Sequence, residues 1–226
     1  MMPKTKKLVL VGDSAFAEVA YECFMHDSEY DVVAFAVERD YLTKSHLFDK
    51  PVVAVEDLAD LYPPADHEFY AACVYVQLNR LRTRLYRTLK DKGYRPASYV
   101  SSRAFVWHNV QIGEHTFIFE DNTVQPFCSI GDNVVLWSGN HIGHHSTIGR
   151  NSFIASHAVI SGFCTIGEFS FVGVNATISN NVTIGPDNWI GLGAVITRDT
   201  PPRTLYRGVQ SDAAEKSTYE YFKIPD

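Results

Sequence analysis

Three histidines fall within five residues in the segment from Trp137 to Gly149, which reads WSGNHIGHHSTIG. They are His141, His144 and His145. Imidazole gains or loses its charge near neutral pH and also ligates metals. The cluster could therefore be a metal site, a general base or a solvated surface. Which of these it is depends on how the surrounding secondary structure positions the three side chains.

The segment lies inside a repeat with a period of six residues. Counting in sixes from Val100 to Ile196 gives seventeen anchor positions, each of them Val, Ile or Leu, with no insertion between them. Helices repeat near 3.6 residues and single strands near 2, so a strict period of six requires short strands separated by corners. The pattern predicts a triangular parallel β-helix with eighteen residues per coil, and the chain supplies nearly six coils.

The repeat also predicts where side chains point. Anchors face inward, as do the mostly small residues four positions later, so Cys128 and Cys164 should be inaccessible as nucleophiles. The other small residues at this position are Thr116, Ser146, Ser152, Ala158, Ser170, Ala176 and Ala194. The second and third residues after each anchor lie at corners, and residues eighteen apart stack about 4.8 Å apart.

The three corners differ in composition. The first corner holds His144 and His145, stacked with His108, Pro126, Phe127, Gly162, Phe163, Asn180 and Asn181. The second corner, interpreted as mainly solvated surface, holds Glu114, His115, Asp132, Asn133, Arg150, Asn151, Glu168, Phe169, Pro186 and Asp187. The third corner is small and partly apolar and could admit a long thin ligand: Ser138, Gly139, Ser156, His157, Val174, Asn175, Leu192 and Gly193.

Strand and helix patterns alternate in the first ninety or so residues, as in KLVLVG, SAFAEVAYECFMHD and DVVAFAV. They predict a small α/β (Rossmann-like) domain with a parallel sheet over 1–97, followed by the β-helix over 98–200 and a tail over 201–226. Ligands of such sheets bind beyond the carboxyl ends of strands. The turn Gly12, Asp13, Ser14 and Ala15 opens a helix there and could meet a diphosphate. The turn lacks the GxGxxG pattern, so it does not indicate a dinucleotide oxidoreductase. An ordinary turn between a strand and a helix, with no ligand, remains an alternative.

Composition narrows the class of protein. The chain has 226 residues, 46% of them hydrophobic, and a net charge of -6. This acidic balance argues against a nucleic-acid partner. The apolar run near the start is too short for a signal peptide or a membrane span, so we expect a cytoplasmic protein with no membrane contact. The four cysteines form no CxxC pair, which indicates neither a zinc knuckle nor a redox dithiol.

The repeat GHHSTIGRNSFIASHAVISGFCTIGEFSFVGVNATI, following an α/β domain, resembles the left-handed β-helix acyltransferases that modify nucleotide-activated sugars. The N-acetyltransferases of bacillosamine and perosamine synthesis and the sialic-acid O-acetyltransferases are similar. The resemblance implies a homotrimer with active sites at subunit boundaries and no metal. It also implies acyl-CoA as co-substrate, either acetyl-CoA or a longer one such as 3-hydroxybutyryl-CoA, and transfer to the amine of a dTDP- or UDP-linked amino sugar.

The resemblance places the general base on His144, four residues before the anchor pair Ile148 and Gly149. Relatives usually follow this histidine with Glu or Asp, which orients the imidazole and raises its basicity. This chain has His145 instead, and we take His144 and His145 together as the candidate catalytic residues. His144 is then either partnered by a carboxylate from elsewhere or is a weaker base that chiefly positions the amine, and both readings stay open.

Further site residues are implied in the same way. The nucleotide sugar would be held by Gly12, Asp13, Ser14, Ala15, Val37 and Glu38. The coenzyme would contact Gly173, Val174, Gly191 and Leu192, beside the third corner. A histidine that touches the acyl carbonyl in a relative matches Phe153, which suggests an acyl group other than acetyl. The tail LYRGVQSDAAEKSTYEYFKIPD departs from the usual GxPA ending, so contacts with the adenine end of the cofactor stay open.

Three alternatives remain beside N-acyl transfer. One is O-acylation of a sugar or sialic-acid hydroxyl, and another is a non-catalytic trimeric binding module. The third is a zinc hydratase, since some β-helix trimers bind zinc through three histidines. Those sites need a histidine pair five residues apart, and the residue five after His144 is Gly149.

Overall fold

The computed structural model describes residues 3–225. Its first part contains strands β1 to β6: Lys6–Val11, Tyr30–Val37, His46–Leu47, Lys50–Ala54, His67–Ala71 and Arg95–Pro96. Helices α1 to α4 span Ala15–His26, Leu58–Leu61, Arg80–Asp91 and Thr218–Phe222. The sheet has the order β3-β4-β2-β1-β5-β6, and all its neighbours are parallel apart from β3 and β4. The predicted α/β domain with a parallel sheet is thus confirmed, with a short antiparallel edge strand added.

The central strand β1 is apolar on both faces because both faces are covered. Leu8 and Leu10 pack into one core with α1, whereas Val9 and Val11 pack into a second core with α2 and α3. Alternate residues of a strand point to opposite faces, so a continuous apolar run is what a sheet between two helical layers needs.

The β-helix consists of two-residue strands that form three parallel sheets. One face holds β7, β10, β13, β16, β19, β22 and β24: Tyr99–Val100, Phe117–Ile118, Val135–Leu136, Phe153–Ile154, Phe171–Val172, Trp189–Ile190 and Leu205–Tyr206. The next holds β8, β11, β14, β17, β20 and β23: Phe105–Val106, Thr123–Val124, His141–Ile142, Val159–Ile160, Thr177–Ile178 and Val195–Ile196. The last holds β9, β12, β15, β18 and β21: Gln111–Ile112, Ser129–Ile130, Thr147–Ile148, Thr165–Ile166 and Thr183–Ile184. Each of the seventeen predicted anchors is the second residue of a strand from β7 to β23.

The interior is as the repeat predicts. The anchors from Ile118 to Ile196 are buried, and the thiols of Cys128 and Cys164 are buried with them. In the first coil Val100 and Ile112 are exposed, because no coil precedes them. At the corners from His115 to Gly193, the third residue after an anchor adopts a positive φ, as at His145 with φ 59°. The same left-handed turn therefore repeats along each corner.

One face of the β-helix packs against the α/β domain. We call it the aromatic face, after its outward residues Tyr99, Phe117, Val135, Phe153, Phe171, Trp189 and Leu205. Phe117 packs edge-on against Phe16 and Phe24 of α1, with ring centroids 5.6 Å apart in both pairs. The two parts share one hydrophobic core. The boundary between domains at 97/98 therefore remains a prediction from the sequence pattern.

The interpretation of the second corner as mainly solvated surface is wrong for His115, Asn133 and Asn151, which are buried, although Asp132, Arg150 and Pro186 of the same corner are exposed. His115 and Asn133 are fully buried there, because Arg82 of α3 enters the corner from the α/β domain. The Arg82 guanidinium donates to Asn133 Oδ1 (3.0 Å) and to the carbonyl oxygens of Asn133 (3.1 Å) and Ser152 (3.3 Å). Polar residues at a corner indicate solvent exposure when only the sequence is known. At this corner they form a buried interface because the Arg82 guanidinium covers them.

Candidate active site

His144 and His145 lie at the first corner, between β14 and β15, and both are exposed. A side chain of the preceding coil fixes the backbone at this point, since the amide N–H of His144 donates to Gln125 Oε1 (2.9 Å). The left-handed φ of His145 turns its side chain along the corner. The two imidazoles are thereby held beside each other. The sequence alone showed only that the two residues are consecutive.

The two histidine rings interact directly. His144 Nδ1 and His145 Nδ1 are 3.1 Å apart, which is hydrogen-bonding distance. His145 is stacked between Phe127 and Phe163, with ring centroids 4.7 and 4.8 Å away. His144 meets Phe163 edge to face at 5.0 Å. The rings of Phe127 and Phe163 thus hold His145 between them, and His145 contacts His144.

A glycine beneath His144 gives its ring room. A Cβ added at Gly162 would come within 2.9 Å of His144 Cε1 and 3.0 Å of its Nε2. Within residues 3–225, no hydrogen bond or ion pair joins either imidazole to a charged side chain. A carboxylate partner for His144, one of the two alternatives that the sequence leaves open, therefore has no counterpart in the described part of one chain.

The two other nearby histidines, His141 and His157, form no hydrogen bond or ring contact with the His144–His145 pair. His141 is half-buried on an outward strand position, and His157 lies at the third corner against Gly139. Among the described residues, no group of three or more His, Cys, Asp or Glu side chains is placed to hold a metal ion.

A separate cavity of about 290 Å³ opens at the carboxyl ends of β1 and β2 in the α/β domain. Five of the six predicted sugar-binding residues line it, namely Gly12, Asp13, Ser14, Val37 and Glu38. Ala15 begins α1 behind them. The structure therefore brings together two segments that the sequence could relate only through sheet topology.

Two ion pairs border the cavity. Lys44 Nζ lies 3.2 Å from Asp13 Oδ2 and donates to the Asp13 carbonyl oxygen (2.9 Å). Arg84 forms a two-pronged pair with Glu38, in which Nη2 donates to Oε2 (2.9 Å). This hydrogen bonding lowers the pKa of the Glu38 carboxyl and raises that of Arg84. The cavity mouth thus combines two cations with two carboxylates.

Sequence reasoning missed Arg84 and Lys44 at this cavity. Arg84 belongs to α3, and basic residues on an amphipathic helix usually indicate a solvent-exposed face. Lys44 lies in a loop that carries no recognisable motif. A usable signal was the period of α3. Arg80, Arg84 and Arg87 recur at intervals of four and three, so they share one face of the helix.

The residues predicted to contact the coenzyme divide into two groups. Val174 and Leu192 project outward one coil apart at the third corner and are 42% and 69% exposed. Gly173 and Gly191 are buried, and their amide N–H groups donate to Ile190 O (2.8 Å) and Tyr206 O (2.7 Å). A Cβ added at either glycine would meet the backbone of the next coil within 2.7 Å, so coil stacking alone accounts for both glycines.

Phe153 lies away from that surface. It is 3% exposed and packs on the aromatic face, with Tyr75, Trp137 and Phe171 at centroid distances of 5.2, 5.8 and 5.9 Å. In the described chain, this burial leaves no free face for an acyl group. The structure does not bring Phe153 together with His144.

Comparison with known proteins agrees with this architecture. Residues 127–162 match the model of the bacterial transferase hexapeptide family (six repeats). PerB from Caulobacter crescentus, solved with CoA and GDP-perosamine, is 24% identical over 91% of this chain and 95% of its own, with a TM-score of 0.78. A histidine-to-asparagine variant of perosamine N-acetyltransferase from the same organism is 25% identical over 92% and 96%, with a TM-score of 0.81. The acetyltransferase domain of PglB from Neisseria gonorrhoeae is 22% identical over 90% and 97%, with a TM-score of 0.80.

The chain is an acyltransferase, and its residues 127–162 carry the hexapeptide repeat of bacterial transferases. The predicted fold, an α/β domain followed by a left-handed β-helix, is confirmed by the same comparisons. No curated protein matches the sequence of this acyltransferase. No helix of residues 3–225 is both long enough and apolar enough to span a membrane.

Proposed function

We propose that this acyltransferase is an acyl-CoA-dependent N-acyltransferase that acts on the amino group of a nucleotide-linked amino-deoxy sugar. The observation that carries the proposal is the cavity in the α/β domain. Its walls are the residues that the sequence resemblance assigned to the nucleotide sugar, Gly12 to Ser14 with Val37 and Glu38. The similar protein PerB was solved with CoA and GDP-perosamine, so GDP joins dTDP and UDP as a candidate nucleotide.

The cavity suits a nucleotide diphosphate. The turn at Gly12 leads directly into the 12-residue helix α1, whose first amide groups and dipole favour an anion. Lys44 and Arg84 supply positive charge at the mouth, and both are now paired with carboxylates. A diphosphate would compete with Asp13 and Glu38 for these cations, while one freed carboxylate could accept hydrogen bonds from ribose hydroxyls.

His144 is proposed as the general base. As the sugar amine attacks the thioester carbonyl, a C–N bond forms, the C–S bond breaks, and the amine loses a proton. An unprotonated His144 nitrogen accepts that proton, and the CoA thiolate leaves. We propose a direct transfer, because the buried thiols of Cys128 and Cys164 cannot take part in a covalent route.

A complete site requires more than one chain. His144 lies at the first corner and Val174 and Leu192 at the third, which are different edges of a triangular prism. The α/β domain covers the remaining face and the second corner. We therefore propose a homotrimer in which the first corner of one chain faces an acyl-CoA that is bound along Val174 and Leu192 of the next.

The test is thiol release from acetyl-CoA and 3-hydroxybutyryl-CoA with a panel of GDP-, dTDP- and UDP-linked amino sugars. We expect turnover with at least one pair and a loss of about a hundredfold or more in kcat for His144→Asn. His26→Asn is the control, because His26 is an exposed histidine at the carboxyl end of α1, whereas the cavity lies at the start of that helix. Turnover with sialic acid alone would overturn N-acyl transfer in favour of O-acyl transfer. Silence with every acceptor would leave a trimeric binding module.

A further inference from the structure

The Nδ1 atoms of His144 and His145 face each other at 3.1 Å. We propose that His145 is a positioning residue that acts as a neutral imidazole. It accepts a hydrogen bond from His144 Nδ1–H and thereby keeps His144 Nε2 free to take the substrate proton. The inference rests on the proposed function and assigns the residue that supports its base.

The hydrogen bond restricts the protonation states of the pair. An Nδ1 to Nδ1 bond needs one proton between the two atoms, so one ring donates and the other accepts. If His144 donates, its Nε2 carries a lone pair and can act as a base. If His145 donates, His144 Nε2 carries the proton and is blocked. Only the first arrangement is competent, and it is the tautomer that an acceptor beside Nδ1 selects.

Proton transfer strengthens the same bond. Once His144 Nε2 has accepted the proton, the ring is cationic and its Nδ1–H still points at His145 Nδ1. Hydrogen bonds from charged donors are stronger than neutral ones, so the protonated state of the base is stabilised by its neighbour. A neutral imidazole supplies less stabilisation than a carboxylate. The corner then carries no negative charge and remains open to an acyl group or sugar with an anionic substituent.

The surroundings of His145 suit a neutral ring. Phe127 and Phe163 cover its two faces, and these phenylalanines are themselves 61% and 53% exposed. The side chains and backbone that contact the pair come from Gln125, Pro126, Gly162 and these two rings, and none of them is charged. Stacking therefore orients His145 by shape alone and leaves its Nδ1 edge for His144.

The corner itself supplies matched variants. Phenylalanine already occupies the equivalent left-handed position at Phe127 (φ 65°) and Phe163 (φ 59°), so His145→Phe keeps the backbone and the stack but removes the acceptor. Asparagine occupies it at Asn181 (φ 62°), and the Oδ1 of His145→Asn can replace Nδ1 as acceptor. His145→Asp restores a carboxylate. Each substitution changes the acceptor without a glycine or a β-branched residue at a strained position.

The experiment compares kcat, KM and the pH dependence of kcat for the full-length wild type and the three variants. We expect His145→Phe to lower kcat about tenfold to a hundredfold with little change in KM, and His145→Asn to stay within about threefold of wild type. The acid limb of the profile should move to lower pH in His145→Phe and to higher pH in His145→Asp. Unchanged kcat and pH profile in His145→Phe, or an equal loss in His145→Asn, would overturn the proposal.

A second measurement needs no substrate and separates this inference from the proposed function. Nitrogen-15 NMR of histidine-labelled protein reports which ring nitrogen bears the proton. In wild type we expect His144 to be protonated at Nδ1, with assignment from His144→Asn. In His145→Phe the proton should move to Nε2, the usual position in free imidazole. A His144 protonated at Nε2 in wild type would overturn the dyad, whatever the acceptor panel shows.

Discussion

His115 and His145 occupy the same place in the repeat, three residues after an anchor, and share a left-handed φ of 56° and 59°. Their surroundings differ completely. His115 is buried against the α/β domain at the second corner, whereas His145 is exposed at the first. The repeat thus fixes the backbone of a corner, and what packs on the corner decides whether a histidine there is structural or available to a substrate.

The bonds of His115 use both ring nitrogens. Its Nε2 accepts from the Ala71 amide (2.8 Å) at the end of β5, so Nδ1 bears the proton and donates to Asn133 Oδ1 (2.9 Å). Burial lowers the pKa of His115 to about 3. This histidine is a neutral connector between domains. His145, by contrast, keeps its bond to one partner, His144.

The largest expected effect comes from removing the cation that buries the second corner. Arg82→Met should lower the free energy of unfolding by about 3 kcal/mol, because several buried hydrogen bonds to the interface are lost at once. Urea denaturation measures this change. Arg87→Met on the exposed face of the same helix is the control, with an expected change within about 0.5 kcal/mol. Equal effects would mean that Arg82 does not bury the corner.

The next effect is a pH dependence of stability that belongs to His115. Its pKa is lowered from 6.5 to about 3 on folding, so the unfolded chain binds more protons below pH 6.5. The contribution is fully present above pH 6.5 and falls by about 1.4 kcal/mol per pH unit as the pH drops toward 3. Between pH 6.5 and 5 we expect a loss of about 2 kcal/mol in wild type that His115→Asn abolishes. His145→Asn should leave the slope unchanged, and a flattened slope there would contradict the distinction between the two histidines.

The smallest effect on stability is expected for Gly162→Ala near the first corner, and Gly143→Ala is its comparison. A Cβ at Gly162 meets the movable ring of His144, whereas a Cβ at Gly143 meets the backbone of Ser161 and Gly162 within 2.5 Å. Gly162→Ala should therefore reduce kcat about tenfold with an unfolding free energy close to wild type. Gly143→Ala should instead destabilise the fold. Parallel kinetics and denaturation of the two variants measure this, and a normal kcat in Gly162→Ala would show that the ring position is not critical.

Most of the fold could be predicted because its signal is periodic. Seventeen aliphatic anchors at intervals of six placed the strands, the inward thiols and the corners. The burial of the second corner could not be predicted. It depends on Arg82, whose surroundings are set by the docking of two domains distant in sequence, and a basic helix reads as solvated until its partner is known.

The candidate site was predictable in part for the same reason. Sheet topology related Gly12 to Glu38, and corner arithmetic placed His144 beside Gly162. The bond between His144 and His145 needed side-chain geometry, as did the ion pairs of Lys44 and Arg84. Phe153 was matched to a ligand-contacting residue of a relative by its position in the repeat alone. In this chain it lies on the aromatic face and is buried in the core between the two domains.

The unbroken period of the β-helix also constrains how such a chain can change its length during evolution. Loss of one residue between Val100 and Ile196 would turn every later anchor outward. Loss of six would restore the anchors but carry each later residue to the neighbouring corner, so His144 would exchange environments with a structural position. Only additions or losses of eighteen residues, one whole coil, leave every corner with its own residues. Variation in length should therefore occur in whole coils or beyond the ends of the repeat, while point substitutions at the corners adjust the chemistry.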